Sequence, residues 1–343
     1  MGATETLLHL TYSWVSLAGQ FDIGDDKITF RGYTFTPQPV TSEGQGDASQ
    51  PKSSQTSPGP RGGVGRAISD QRLTDGTVSV DVEFKDIDTW TTAEVMLHYD
   101  PVADEMLTVG LGANGWLLNI RHWTKAVGLA EPNQPRWNVI RSAGNRVTLK
   151  AGRVYHLQMK VQGSYLTVEL DGVEIGSGNL PFQLSGKQVG LFCQSVSDIY
   201  FRHFRIESAR PLAFVVMQFN PPEYEELFND VILPVCERMG LEAFRASQTY
   251  YPGLVIADIQ RQIRESRVVI AEITPGNPNV YYEVGYADAI GKPVILIADK
   301  GKLDQLPFDV RAFRTLFYEN TIGGKSKVER ILTEFLKNIM GGG

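Results

Sequence analysis

The groups that chemistry needs are concentrated in one short stretch. Asn277-Pro278-Asn279 is followed by Glu283 and then Tyr286. Asn277 suits a helix N-cap and Pro278 the first helical position. Asn279, Glu283 and Tyr286 then share one helix face. Glu283 would sit about a turn inside the helix, where the positive end of the dipole favours an ionised carboxylate. Such a group can attack an electrophilic carbon or stabilise positive charge on it, and Asn279 can hydrogen-bond a ribose hydroxyl. A glutamate on a helix is ordinarily solvated surface; what sets this one apart is its place at the mouth of a predicted crevice. Phe219, Asn220, Arg245, Glu272 and Thr274 end the apolar segments that precede it, and they complete the candidate substrate-binding set.

The chain after His203 contains no histidine. A histidine base, a Ser-His-Asp triad and a histidine metal site are therefore excluded there, and carboxylates must carry any catalysis. The two cysteines, Cys193 and Cys236, lie in different halves, which fits neither a disulfide framework nor a metal quartet. No metal and no resident cofactor is expected. A reducing, cytoplasmic setting is expected from the cysteine usage and from an opening segment without the basic and apolar regions of a secretory leader. The net charge of -6 divides evenly, with 17 acidic and 14 basic residues from Pro211 onward. Neither half is a basic module, so nucleic acid and anionic membranes are not expected partners.

The elements that must position these groups follow from periodicity. Up to about residue 207 the chain reads as short alternating strands. Val78, Val80, Val82 and Phe84 mark one face of a strand, and Asp171-Gly172 marks a hairpin turn. Residues 41–63, rich in Gly, Ser, Pro and Gln, read as a surface loop. After Glu207 the pattern changes to continuous apolar strands at 212–217, 267–271, 293–298 and 314–318, with a shorter strand at 241–245. Helical segments fall at 224–239, 255–266, 279–290 and 327–340. The expected fold is an all-β jelly-roll sandwich (1–209) followed by an α/β flavodoxin-like parallel sheet domain (210–343) with strand order 2-1-3-4-5. In such a sheet ligands bind beyond the carboxyl ends of the strands at the switch point, where the candidate residues lie.

The run Ala271-Glu272-Ile273-Thr274, then Asn277-Pro278-Asn279-Val280-Tyr281-Tyr282-Glu283-Val284-Gly285-Tyr286-Ala287 and Gly291-Lys292-Pro293, resembles bacterial TIR-like domains and the related nucleoside 2-deoxyribosyltransferases. The resemblance covers residues 212–340. It implies cleavage of a C1'–N glycosidic bond, with Glu283 catalytic and NAD+ as substrate rather than cofactor; Glu272 in place of an aspartate leans away from the transferase. The amino-terminal half resembles concanavalin-A-like sandwiches of the laminin-G and keto-glycoside hydrolase type, through residues 165–172, 190–192 and 199–206. Trp90, Trp116 and Trp123 are its candidate stacking faces for a sugar. Together these imply an NAD+ glycohydrolase of an antiphage-type effector. It would be activated by a glycan or nucleotide signal and work as a homo-oligomer or filament. The alternatives are a nucleoside deoxyribosyltransferase or nucleosidase, and a non-catalytic glycan- or nucleotide-binding scaffold.

Overall fold

The computed structural model describes residues 12–36, 61–125, 135–218, 222–245, 255–302 and 313–340. The first part is an antiparallel sandwich of β1 (Trp14–Ala18), β2 (Gln20–Ile23), β3 (Lys27–Arg31), β4 (Thr34–Phe35), β5 (Arg61–Leu73), β6 (Gly76–Phe84), β7 (Thr92–Asp100), β8 (Glu105–Leu111), β9 (Leu118–Lys125), β10 (Pro135–Ala143), β11 (Val154–Gln162), β12 (Tyr165–Leu170), β13 (Val173–Asn179), β14 (Lys187–Ser195) and β15 (Ile199–Ser208). One sheet runs β1-β5-β14-β7-β8-β9-β10, with β4 on β5; the facing sheet runs β13-β12-β11-β6-β15-β3-β2. The alternation read in β6 does the expected work. Val78, Val80, Val82 and Phe84 are buried and meet Val95, Leu107, Val109 and Leu191 of the opposite sheet in one core. The Asp171-Gly172 turn has φ of 53° and 78°, the doubly positive geometry that a two-residue hairpin requires.

Two boundaries differ from expectation. Residues 61–63, read as the end of a loop, begin β5. Their glycines sit in the strand because the space is occupied: a Cβ on Gly63 would lie 2.3 Å from the Tyr33 ring. The closing helix starts at Ile322, five residues before the expected Lys327. Gly323 and Gly324 lie within the added turn, where the Thr321 hydroxyl accepts from the Gly324 N–H and caps the helix.

The second part is a five-stranded parallel sheet of β16 (Leu212–Val216), β17 (Glu242–Arg245), β18 (Val268–Glu272), β19 (Val294–Asp299) and β20 (Thr315–Tyr318), ordered β17-β16-β18-β19-β20. Counted within this part, the order is 2-1-3-4-5. Helices cover both faces. Ala213 and Val215 face α1 (Pro222–Glu226), a π-helical turn (Leu227–Ile232), α2 (Leu233–Arg238) and α5 (Ile322–Met340). Phe214 and Val216 face α3 (Val255–Glu265) and α4 (Pro278–Ala289). Strands buried on both sides explain the unbroken apolar runs in the sequence. Among the described residues, no helix is long and apolar enough to cross a membrane.

Candidate functional site

Glu283 is placed by α4. Asn277 caps this helix, its side-chain oxygen accepting from the Asn279 N–H at 2.9 Å, and Pro278 opens it. Val280, Val284 and Ala287 are the buried ridge against the sheet. At 100° per residue, Tyr282 and Tyr286 form the next ridge round, and Glu283 lies between the two. That second ridge faces α3: the Tyr282 hydroxyl accepts from Gln260 Nε2 at 2.8 Å, and the Tyr286 hydroxyl from Arg264 Nη1 at 2.9 Å. Glu283 therefore sits half-buried on the α3-facing flank of α4. It makes no hydrogen bond or ion pair among the described residues. Burial alone pushes its pKa up to about 7. The expected help from the helix dipole is absent because the effect fades within the first turn, and Glu283 is the sixth residue of the helix.

Asn279 is exposed on the same flank, while Asn277 is engaged as the cap. Tyr286 is tied to Arg264, from which its hydroxyl accepts. Arg245 ends β17, but its guanidinium bonds both carboxylate oxygens of Glu225 at 2.7 Å and lies 4.4 Å from the Phe228 ring centre. Phe219 and Asn220 lie outside the described residues.

Glu272 and Thr274 are found beneath the surface, 1% and 0% exposed. The Glu272 carboxylate accepts from the Thr274 N–H at 3.1 Å and from the Thr274 hydroxyl, and that hydroxyl in turn accepts from the Asp299 N–H at 2.8 Å. The Tyr224 hydroxyl donates to the Thr274 carbonyl. Burial pushes the Glu272 carboxyl up to about 7, and the neighbouring Asp299 charge acts in the same sense. This network locks the carboxyl ends of β18 and β19 together. Sequence reasoning missed Tyr224, Asp299 and Lys302, the last of which bonds Glu223 and lies 4.6 Å from the Tyr224 ring centre. The only sequence signal for Asp299 and Lys302 is position, at or just beyond the end of β19, and Tyr224 lies in α1. A cleft of about 260 Å³ opens beyond β19 and β20, lined among others by Lys300, Tyr318, Glu319, Thr321 and Lys327. Glu283 is not among its lining residues.

In the sandwich the three candidate tryptophans do not make one platform. Trp90 and Trp116 are exposed, at 37% and 45%. Trp123 pairs with Met106, five residues along β9 from the Leu118 end and so roughly 17 Å away. It packs edge-on against Trp137 at 5.4 Å. Among the described residues, no group of three His, Cys, Asp or Glu is placed to hold a metal.

No family model matches the chain, and no curated protein matches it. Similar solved structures include the carbohydrate binding module CBM66 from Bacillus subtilis, at 14% identity over 58% of this chain and 98% of that one, with a TM-score of 0.40. A prokaryotic β-1,3-1,4-glucanase (lichenase) derived from a mouse hindgut metagenome is 9% identical over 55% of this chain and 90% of that one, with a TM-score of 0.36. The Bacillus licheniformis β-glucanase is 10% identical over 43% and 72%, with a TM-score of 0.32. At such values the likeness says nothing of what this chain binds or cleaves. The sandwich itself rests on the chain's own two facing sheets.

Proposed function

We propose that the α/β domain is a flavodoxin-like, TIR-like catalytic unit that hydrolyses the C1'–N bond of NAD+ and releases nicotinamide. The observation that supports this most is Glu283, a half-buried carboxyl without a partner among the described residues, midway along α4, the helix that follows the central strand β18. The bond from C1' to the pyridinium nitrogen breaks, and its electron pair stays on that nitrogen. Nicotinamide leaves neutral, so little general-acid help is needed in a domain without histidine. The Glu283 carboxylate supports the oxocarbenium-like carbon, and water adds to C1' with loss of a proton. Glu272, already bonded to Thr274, leaves Glu283 as the carboxylate open to this task. With its pKa at about 7, kcat/KM should rise with pH and level off above that value. A cationic substrate next to Glu283 would favour the ionised form. The sandwich serves as the sensor or assembly half of a cytoplasmic, antiphage-type effector that is activated by a ligand or by self-association.

The test is nicotinamide release from NAD+ by the purified full chain, read by chromatography across protein concentrations. Glu283→Gln should lower it by about 100-fold or more. Full activity in that variant defeats the mechanism, and intact NAD+ at every concentration favours a non-catalytic scaffold. A second reading, a nucleoside substrate, draws on Arg245: its charge is already matched by Glu225, as suits a ligand without phosphate. A nucleoside panel beside NAD+ separates the two.

A further inference from the structure

The seam between the two parts is built of buried polar side chains, and it lies at the amino ends of the parallel strands. Lys292, two residues before β19, is 4% exposed. Its ammonium donates to the Ser164 hydroxyl in the sandwich at 3.1 Å, and to the carbonyls of Arg264 and Ser266 at 2.8 and 2.6 Å. Arg267, one residue before β18, is 2% exposed and donates through Nη1 to the Leu184 carbonyl of the sandwich at 2.7 Å. Gln183 Nε2 donates to the Arg267 carbonyl at 2.8 Å. Asp75, also buried, accepts from the Gly163 N–H and faces Arg267 at 3.9 Å. The β11–β12 turn approaches so closely that a Cβ on Gly163 would lie 2.3 Å from the Ser266 carbonyl oxygen. No side chain fits there.

The same turn reaches α3. The Arg264 guanidinium lies 5.5 Å from the ring centre of Tyr165, the first residue of β12. That guanidinium also donates to the Tyr286 hydroxyl. One residue thus touches the sandwich with its cation, is held by Lys292 at its carbonyl, and grips α4 one turn beyond Glu283.

We propose that the sandwich is a positioning element for Glu283: through Ser164, Tyr165 and Lys292 it fixes Arg264, and Arg264 fixes the α3–α4 groove that holds the carboxyl. This deepens the reading of Glu283 as the working group, and names Arg264 as its positioning residue. Opening the seam loosens α3 from α4 and lets water reach Glu283.

The experiment reads the Glu283 carboxyl directly in the full chain, independently of turnover. Glutamate labelled with 13C at the carboxyl is titrated by NMR, and the Glu283 signal is assigned by its loss in Glu283→Gln. Arg264→Met should shift the midpoint down by about one pH unit or more, toward the ordinary range. Arg264→Lys, which keeps a cation at this point, should recover most of the shift. Tyr165→Leu removes the sandwich side of the contact alone and should move the midpoint in the same direction; it also keeps the test available if Arg264→Met does not fold. An unmoved midpoint in a folded variant overturns the proposal, whatever the activity. A wild-type chain that releases no nicotinamide but shows the shift overturns the catalytic reading and leaves the positioning role standing.

Discussion

At the amino ends of the parallel strands, Lys292 spends its donors on three acceptors, and Arg267 and Asp75 are buried beside it. At the carboxyl ends two glutamates differ. Glu272 is as deeply buried as the seam residues and bonded to Thr274, whereas Glu283 is half-buried and has no partner among the described residues. Both carboxyls are pushed up to about 7 by burial. A shifted pKa therefore does not by itself tell the two apart; their hydrogen-bond partners do. Unpaired buried polar groups cost stability, and the seam keeps two of them, Asp75 Oδ2 and Arg267 Nε.

The largest effect that tests this contrast is on the seam. Lys292→Met removes a buried cation and leaves the Arg264 and Ser266 carbonyls without their shared donor. With two buried carbonyls left unsatisfied it should lower the unfolding free energy by about 2–6 kcal/mol, measured by urea unfolding of the full chain. Glu283→Gln should cost almost nothing in the same measurement, because no hydrogen bond is lost. If the two variants lose stability equally, the division between holding and working groups breaks down.

The next effect concerns Glu272 alone. Its folded pKa of about 7 lies above the ordinary 4.5, so between these values the folded state holds a proton that the unfolded chain has released. The contribution is full below pH 4.5 and is lost as pH rises through 7. The loss across that window is of the order of 3 kcal/mol. Unfolding midpoints taken from pH 4.5 to 8 should fall with pH in wild type and fall less steeply in Glu272→Gln. A slope unchanged by this substitution would mean that Glu272 stays ionised on its Thr274 donors, which would sharpen its contrast with Glu283.

Much of this was legible in the residues. The strand order, the two-sided burial of β16 and β18 and the Asn277 cap follow from apolar runs, helix spacing and cap chemistry, all of which are local. The position of Glu283 on α4 was legible for the same reason. The dipole argument for its ionisation failed because depth in the groove outweighs a helix end six residues away. Glu272 and Thr274 were named for their place at a strand end, yet period-2 patterning does not say whether a terminal polar pair points outward or folds back on itself. The seam was not legible at all. Lys292 stands in a Gly-Lys-Pro run read as the lead into a strand, and its partner in the sandwich, Ser164, is 128 residues distant. Only the packing of two separate folds brings them together.

The smallest effect divides two roles for one side chain. Asn277 caps α4 through its side-chain oxygen, and was also expected to meet substrate. Asn277→Ala should cost about 1 kcal/mol in urea unfolding, and slackening the first turns of α4 lowers turnover as well. Asn277→Asp keeps the accepting oxygen and adds a negative charge at the positive end of the helix, so stability should equal or exceed wild type. If capping is the whole role, the Asp variant keeps nicotinamide release near wild type. If the amide also donates to a sugar oxygen, the Asp variant stays stable but loses about 10-fold in kcat/KM, because a carboxylate cannot replace that donor. Stability and turnover that move together in both variants assign Asn277 to the helix alone. Turnover that falls with Asp while stability holds places it in contact with the ligand.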